Sequence, residues 1–320
     1  MNFLILILSL IIIVIAADKL IDSSSRIAKH YGVPVFIIGI SIIAFGTSAP
    51  ELVVGIISSL NGDNVLSYGN IVGSCINNMA LILGLTALII SVKVDDKILK
   101  REMLMLTGIE IILLILSFNG ILSRIDGIIL MTLGILFVIY LLRGTKESVE
   151  DEDDASIIKL SKKEALRKWI VMFISLAFLI FSGHLIVESS QAIASDFGIE
   201  QSAIGLTLIA LGTTMPELVT SITAARKKEN DIILGNIIGS NIFNILIILG
   251  TASIINPITI NFINAENIYS SLFIEGLIML GINIFAYVVM YKKRNISRVA
   301  GLILLFMYAL YMAKQIYFLV

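Results

Sequence analysis

A single cysteine, Cys75, stands in 320 residues, so no disulfide can close within the chain, and its position inside a long apolar run makes it a small packing residue. Charge is also scarce. Only 15 % of residues are Asp, Glu, Lys or Arg, and the formal net charge of −1 gives none of the basic excess that nucleic-acid binding needs. No glycine-rich phosphate-binding loop occurs, which leaves ion gradients rather than nucleotide hydrolysis as an energy source. No basic residue precedes the first apolar run, whereas Lys19, Arg26 and Lys29 follow it. A secretory signal has the opposite order. Ala16, Ala17 and Asp18 form only a weak cleavage sequence, so a retained first helix with its N-terminus outside is expected.

What fills the chain is hydrocarbon, at 58 % hydrophobic residues. A segment of about 20 apolar residues spans a bilayer. Ten such spans are expected, at roughly 2–17, 34–60, 65–91, 103–118, 125–142, 167–188, 201–225, 231–255, 268–290 and 298–318. Cytoplasmic loops collect Lys and Arg. Of the 23 present, only Arg124 and Lys314 fall outside the loops that follow spans 1, 3, 5, 7 and 9. The reading is therefore an all-α polytopic membrane protein with both termini outside. Its ten helices form two five-helix repeats of inverted topology, residues 1–142 and 167–320, joined by a cytoplasmic linker at 143–166. The polar stretch from Arg143 to Lys168 holds the acidic run Glu147, Glu150, Asp151, Glu152, Asp153, Asp154, then Lys159, Lys162, Lys163, Arg167 and Lys168. It reads as a solvated linker with a basic foot near anionic headgroups. Its acids lack the spacing and turn glycine of a calcium-binding loop.

Residues 44–84 and 210–250 are one stretch written twice at a constant offset of 166, identical at 19 of 41 positions. Each copy carries a glutamate, Glu51 or Glu217, where hydrocarbon makes a carboxylate costly, and an intramembrane acid marks function. Gly46, Thr47 and Pro50 precede the first acid, and Gly212, Thr213 and Pro216 the second. Proline deprives the carbonyl four residues earlier of its donor, so each helix is expected to break just before its acid. Freed carbonyls at membrane depth survive only inside protein or against a watery cavity. With the hydroxyls of Thr47, Ser48, Thr213 and Thr214 they make an oxygen set suited to Na⁺ or Ca²⁺. The next helix of each copy opens Gly69-Asn70 or Gly235-Asn236 and continues Gly73-Ser74 or Gly239-Ser240. Asn78 or Asn244 follows four residues after the serine, on the same face, which is expected to look at the acid. Glycines four apart let helices approach closely in lipid.

These paired motifs, GTSAPE with GNIVGSCINN and GTTMPE with GNIIGSNIFN, resemble the two alpha-repeats of the cation/calcium antiporter superfamily. The chain looks like a prokaryotic sodium/calcium exchanger. The resemblance implies four broken helices, spans 2, 3, 7 and 8, in a diamond around ions at the midplane. Glu51 and Glu217 would be carboxylates shared by Ca²⁺ and Na⁺, and the carbonyls of Thr47 and Thr213 would bind Ca²⁺. Ser48, Ser74, Thr214, Ser240 and the carbonyls of Ala44 and Ala210 would complete flanking Na⁺ sites, with Asn78 and Asn244 lining the centre. Spans 1 and 6 would slide across this core. Some members carry aspartate where Asn244 stands. The implied protein is no enzyme. It is a multi-pass transporter of the cell membrane that has Ca²⁺ and Na⁺ as cargo, the bilayer as surroundings, and no cofactor or obligate protein partner. A proton/calcium antiporter is the alternative, since glutamates can carry protons, and a cation channel is the more distant one. Two further acids, Glu110 in span 4 and Glu275 in span 9, lack the proline break and hydroxyl cluster, and are expected at an interface or polar cavity without coordinating. His184 is expected to be a hydrogen-bonded packing residue.

Overall fold

The computed structural model describes residues 2–62, 64–151, 159–196, 212–260 and 272–319. Over these the chain is almost entirely helical: α1 (Asn2–Tyr31), α2 (Val35–Thr47), α3 (Ala49–Leu60), α4 (Leu66–Ile89), α5 (Asp96–Asn119), α6 (Arg124–Asp151), α7 (Lys162–Asp196), α8 (Met215–Lys227), α9 (Asn230–Ile255), α10 (Leu272–Lys293) and α11 (Arg298–Leu319). Among the described residues seven helices are long and apolar enough to cross a membrane, and α2 with α3 form an eighth span bent by 43°. The first eleven residues of the expected seventh span, 201–211, and residues 152–158 of the linker lie outside the described residues.

The bend has the cause its sequence suggests, displaced by one step. Pro50 and Pro216 sit in the first turns of α3 and α8, where a missing N–H costs little. The residues that leave helical geometry are Ser48 (φ −80°, ψ 7°) and Thr214 (φ −82°, ψ −1°), two positions before each proline. Four further distortions have no signature in the sequence. Helix α5 widens into a π-helical turn at Leu99–Met103, α2 at Gly39–Ile43, α4 at Asn77–Ile82 and α9 at Asn244–Leu249. Such turns collect at functional sites, and the last two open beside the repeat-related asparagines.

Polarity and burial are arranged inside out. The most apolar window of α1 is only 33 % buried, whereas the windows of α4 and α9, which carry the Gly-Asn and Gly-Ser pairs, are 83 % and 94 % buried. Outer helices such as α1 present Phe3, Leu4, Ile7 and Ile11 to the surroundings. Lipid is as apolar as these side chains, so the polar helices take the centre, where other protein groups can pair with them.

The packing interleaves the two halves. Helix α1 lies along α7; α2 packs on α9 and α4 on α8; α4 also packs on α11, and α9 on α6. Two short antiparallel ladders repeat this exchange. Strand β1 (Val92–Lys93) pairs with β4 (Asn295–Ile296), and β2 (Ile121–Leu122) with β3 (Ile258–Thr259). Val92 and Ile258 differ by the repeat offset of 166, so each ladder joins an equivalent segment of one half to the other half.

Close approach of α9 to α2 depends on glycine. A Cβ at Gly235 would lie 2.8 Å from Ile40 N and Phe36 O, and one at Gly239 would lie 2.6 Å from Ile40 O, all backbone atoms that cannot swing away. Gly239→Leu is expected to cost at least about 3 kcal/mol, the upper part of the usual overpacking range, seen as a lower thermal midpoint in detergent. Gly281→Ala, whose Cβ meets nothing within 4 Å, is expected to leave the midpoint unchanged or slightly raised.

Candidate functional site

Helices α3 and α8 open with matching four-residue patterns, Ser48-Ala49-Pro50-Glu51 and Thr214-Met215-Pro216-Glu217. Read locally, each is a capping box, in which the leading hydroxyl bonds a backbone N–H of its own first turn. Neither hydroxyl makes that bond. Ser48 Oγ instead donates to Glu217 Oε1 at 3.1 Å, crossing from the first repeat to the second. Thr214 Oγ1 accepts from Asn77 Nδ2 at 3.1 Å.

The remaining bonds knit four helices together. Ser74 Oγ donates to Glu51 Oε1 at 3.1 Å and accepts from Asn244 Nδ2 at 3.2 Å. Asn78 Nδ2 donates to Asn241 Oδ1 at 2.9 Å. Thr47 Oγ1 donates to Asn236 Oδ1 at 3.1 Å, and its repeat mate Thr213 to Asn70 Oδ1 at 3.4 Å. Asn236 passes its own protons to Ser221 Oγ at 3.1 Å and to the Glu217 carbonyl at 3.4 Å. Ser240 Oγ reaches the Ala44 carbonyl at 3.4 Å. The structure thus draws Ala44, Thr47, Ser48, Glu51, Ser74, Asn78, Thr213, Thr214, Glu217, Ser240 and Asn244 into one buried region. Ala210 lies outside the described residues.

Hydroxyls elsewhere behave differently. Thr86, Thr107, Thr132, Thr251 and Ser253 each donate to the carbonyl four residues back in their own helix. That is how an apolar helix silences a hydroxyl. Ser48, Ser74, Thr213 and Ser240 reach other helices instead, and Thr47 divides its hydroxyl between the Ala44 carbonyl of its own helix at 3.3 Å and Asn236.

Four oxygens in this region have no hydrogen-bond partner: Glu51 Oε2, Glu217 Oε2, Asn78 Oδ1 and Asn244 Oδ1. All four residues are 0 % exposed. Neither glutamate has an ion-pair partner among the described residues. Buried polar atoms left unpaired are costly, and charge without a partner more so. Two carboxylate and two amide oxygens, with hydroxyls and carbonyls around them, form the hard oxygen donor set that Na⁺ and Ca²⁺ take. Among the described residues there is no cluster of three or more His, Cys, Asp or Glu, so most of the surrounding donors are neutral.

Asn70, Asn77, Ser221, Asn236 and Asn241 were not among the expected ligands, yet they hold those ligands in place. Asn70 and Asn236 had a signal, the Gly-Asn pair repeated at the same offset. Asn77 and Asn241 had none, because their repeat mates are Phe243 and Cys75. The other acids lie elsewhere. Glu110 is fully buried on α5, accepting from Asn283 Nδ2 at 2.8 Å, and is therefore in the interior rather than at an interface. Glu275 accepts from Gln315 at 2.7 Å and lies 3.6 Å from Lys314. His184 departs from its expected packing role. Its side chain is 65 % exposed and meets Glu188 one turn along α7 at 3.2 Å.

The family model described as sodium/calcium exchanger protein matches residues 1–143 and 167–317. The inner membrane protein YrbG of Escherichia coli is 34 % identical over 85 % of this chain and 86 % of its own length. The sodium/calcium exchanger MaX1 of Methanosarcina acetivorans is 30 % identical over 99 % of each chain. Among solved structures, the sodium-calcium exchanger NCX_Mj soaked with 10 mM Na⁺ and no Ca²⁺ superposes with a TM-score of 0.85 at 30 % identity, covering 98 % of both chains.

The unclaimed oxygens can be tested without any flux measurement. Ca²⁺ at about 100 times its Kd is expected to stabilise the folded protein by about 2.7 kcal/mol, read as a raised thermal midpoint. Glu51→Gln and Glu217→Gln are each expected to remove that shift. Without cations both variants should be at least as stable as the parent, because one unpaired buried charge is gone.

Proposed function

The chain belongs to the sodium/calcium exchanger family, and we propose that it exchanges Na⁺ for Ca²⁺ by alternating access, in the cell running toward Ca²⁺ extrusion across the plasma membrane. A multi-pass membrane antiporter of Ca²⁺ and another cation is the coarse activity. Sodium as the coupling ion is our reading.

The observation that carries the proposal is the pair of buried carboxylates with no protein counter-charge. One Ca²⁺ neutralises the two acids, and so do two Na⁺, with a third adding one positive charge. The two loads therefore compete for one cavity, and competition in a single cavity is what couples opposite fluxes. An unneutralised acid is expensive in a low-dielectric path, so the loaded site crosses between access states far more readily than the bare one. If three Na⁺ exchange for one Ca²⁺, one net charge moves per cycle, and the membrane potential contributes about 2.3 kcal/mol per 100 mV.

In this reading Glu51 and Glu217 bind both ions, and the Thr47 and Thr213 carbonyls join them around Ca²⁺. Ser48, Ser74, Thr214 and Ser240, with the Ala44 and Ala210 carbonyls, serve flanking Na⁺, and Asn78 and Asn244 line the centre. The ten spans form two inverted halves, 1–142 and 167–320, with the linker 143–166 in the cytoplasm and both termini outside. The distribution of Lys and Arg supports this orientation. The offset of 166 that relates β1 to β3, each paired with a strand of the other half, supports the two-fold relation. Helices α1 and α7 are the sliding pair.

⁴⁵Ca²⁺ uptake into proteoliposomes loaded with Na⁺, against the same vesicles loaded with choline at equal pH, tests the coupling. Uptake is expected only with internal Na⁺. Uptake driven by a pH gradient in the absence of Na⁺ would replace sodium with protons. Glu51→Gln and Glu217→Gln are each expected to reduce uptake at least 100-fold while the protein stays folded; uptake retained in both would remove the site assignment.

A further inference from the structure

A cavity of about 710 Å³ lies away from the cation site, between α1 and α7. One end is apolar, lined by Ile12, Ile15, Ile174 and Phe178. The other end is basic: Lys19, Arg26, Arg167 and Lys168 reach it, against Asp22 and Glu164.

The charges there are unequally spent. Asp22 is held by Lys168 at 3.0 Å and Arg26 at 3.4 Å. Glu164 accepts from the Ser161 N–H at 2.9 Å and the Ser161 hydroxyl at 2.8 Å, closing the start of α7. Among the described residues Lys19 and Arg167 have neither an ion pair nor a hydrogen bond, so two positive charges face the cavity uncompensated. Ser23, between Lys19 and Arg26 on α1, belongs to the basic end and is 1 % exposed. Basic end and apolar end follow one another along the helices as phosphate and acyl chains do in a phospholipid.

We propose that this groove binds one anionic phospholipid. Lys19 and Arg167 engage its headgroup, and the acyl chains run along Ile12, Ile15, Ile174 and Phe178. A zwitterionic lipid brings its own positive charge to the same place and is disfavoured. Because the groove is walled by α1 and α7, the lipid contacts both helices of the pair assigned the sliding motion.

The chain supplies its own reporter, since Trp169 is the single tryptophan and follows Arg167 and Lys168 on α7. The full-length protein is reconstituted in phosphatidylcholine vesicles containing either phosphatidylglycerol or further phosphatidylcholine brominated on its acyl chains, and Trp169 quenching is measured. Each basic side chain near a membrane surface favours an anionic lipid about fivefold, so the two uncompensated ones predict about 25-fold preference for phosphatidylglycerol. The double variant Lys19→Gln/Arg167→Gln changes two exposed residues without described partners and is expected to bring that ratio close to one. The variant Lys292→Gln/Lys293→Gln removes the same charge at the end of α10 and is expected to leave the ratio intact. Equal quenching by both lipids in the parent, or equal loss in both double variants, would overturn the groove. The readout needs no transport, so it stands or falls separately from the exchange reaction.

Discussion

Two buried carboxyl groups without a positive partner among the described residues are the constraint from which the rest of this molecule follows. Glu51 and Glu217 are wholly shielded from solvent, and no lysine, arginine or histidine among the described residues reaches them. A protein that wanted only stability would pair them or replace them with apolar residues. Here each acid keeps one oxygen hydrogen-bonded to a serine and leaves the other free. The bonded oxygen fixes where the carboxylate points, and the other has no hydrogen-bond partner. Asn78 and Asn244 divide their amides in the same manner, nitrogen to a protein acceptor and oxygen unclaimed.

Holding those groups still takes the centre of the fold. Helices α4 and α9, which carry the two asparagines, are the most buried of the described spans, and the outer helices act as their apolar sheath. The halves are also tied to each other at several levels, by the two ladders, by α4 against α11 and by α9 against α6. A rocking motion of one half against the other would tear all of these contacts at once. The pair α1 and α7 lies outside the ladders, in keeping with the sliding motion proposed for it.

Much of this was legible because a repeat removes ambiguity. One Pro-Glu in one apolar helix is weak, but the same pattern at a constant offset, with Ser74 and Ser240 at matching distances, fixed the cluster before any coordinates. Local geometry was less readable. The proline rule correctly foresaw a break but not its location at Ser48 and Thr214, because the hydroxyls there abandon their own helix for partners across the interface. The π-helical turns at Asn77–Ile82 and Asn244–Leu249 arise from packing around the site and leave no trace in propensity. Asn77 and Asn241 escaped notice because the repeat breaks at those two positions. His184 was misjudged for a general reason: a helix with no pronounced polar face does not announce which side looks outward.

The interleaved halves also bear on how such a chain is made. The ladder between Val92 and Ile296 closes contacts about 200 residues apart, and long-range pairings of that kind form late. The first half must therefore wait in the bilayer, its glutamate already inserted, while the second is still being synthesised. Both serines that bond the acids at 3.1 Å, Ser74 for Glu51 and Ser48 for Glu217, belong to that first half. The early half thus carries a donor for its own acid and holds one ready for its successor. Biogenesis meets a waiting partner at the step where an unaccompanied carboxylate would be hardest to insert.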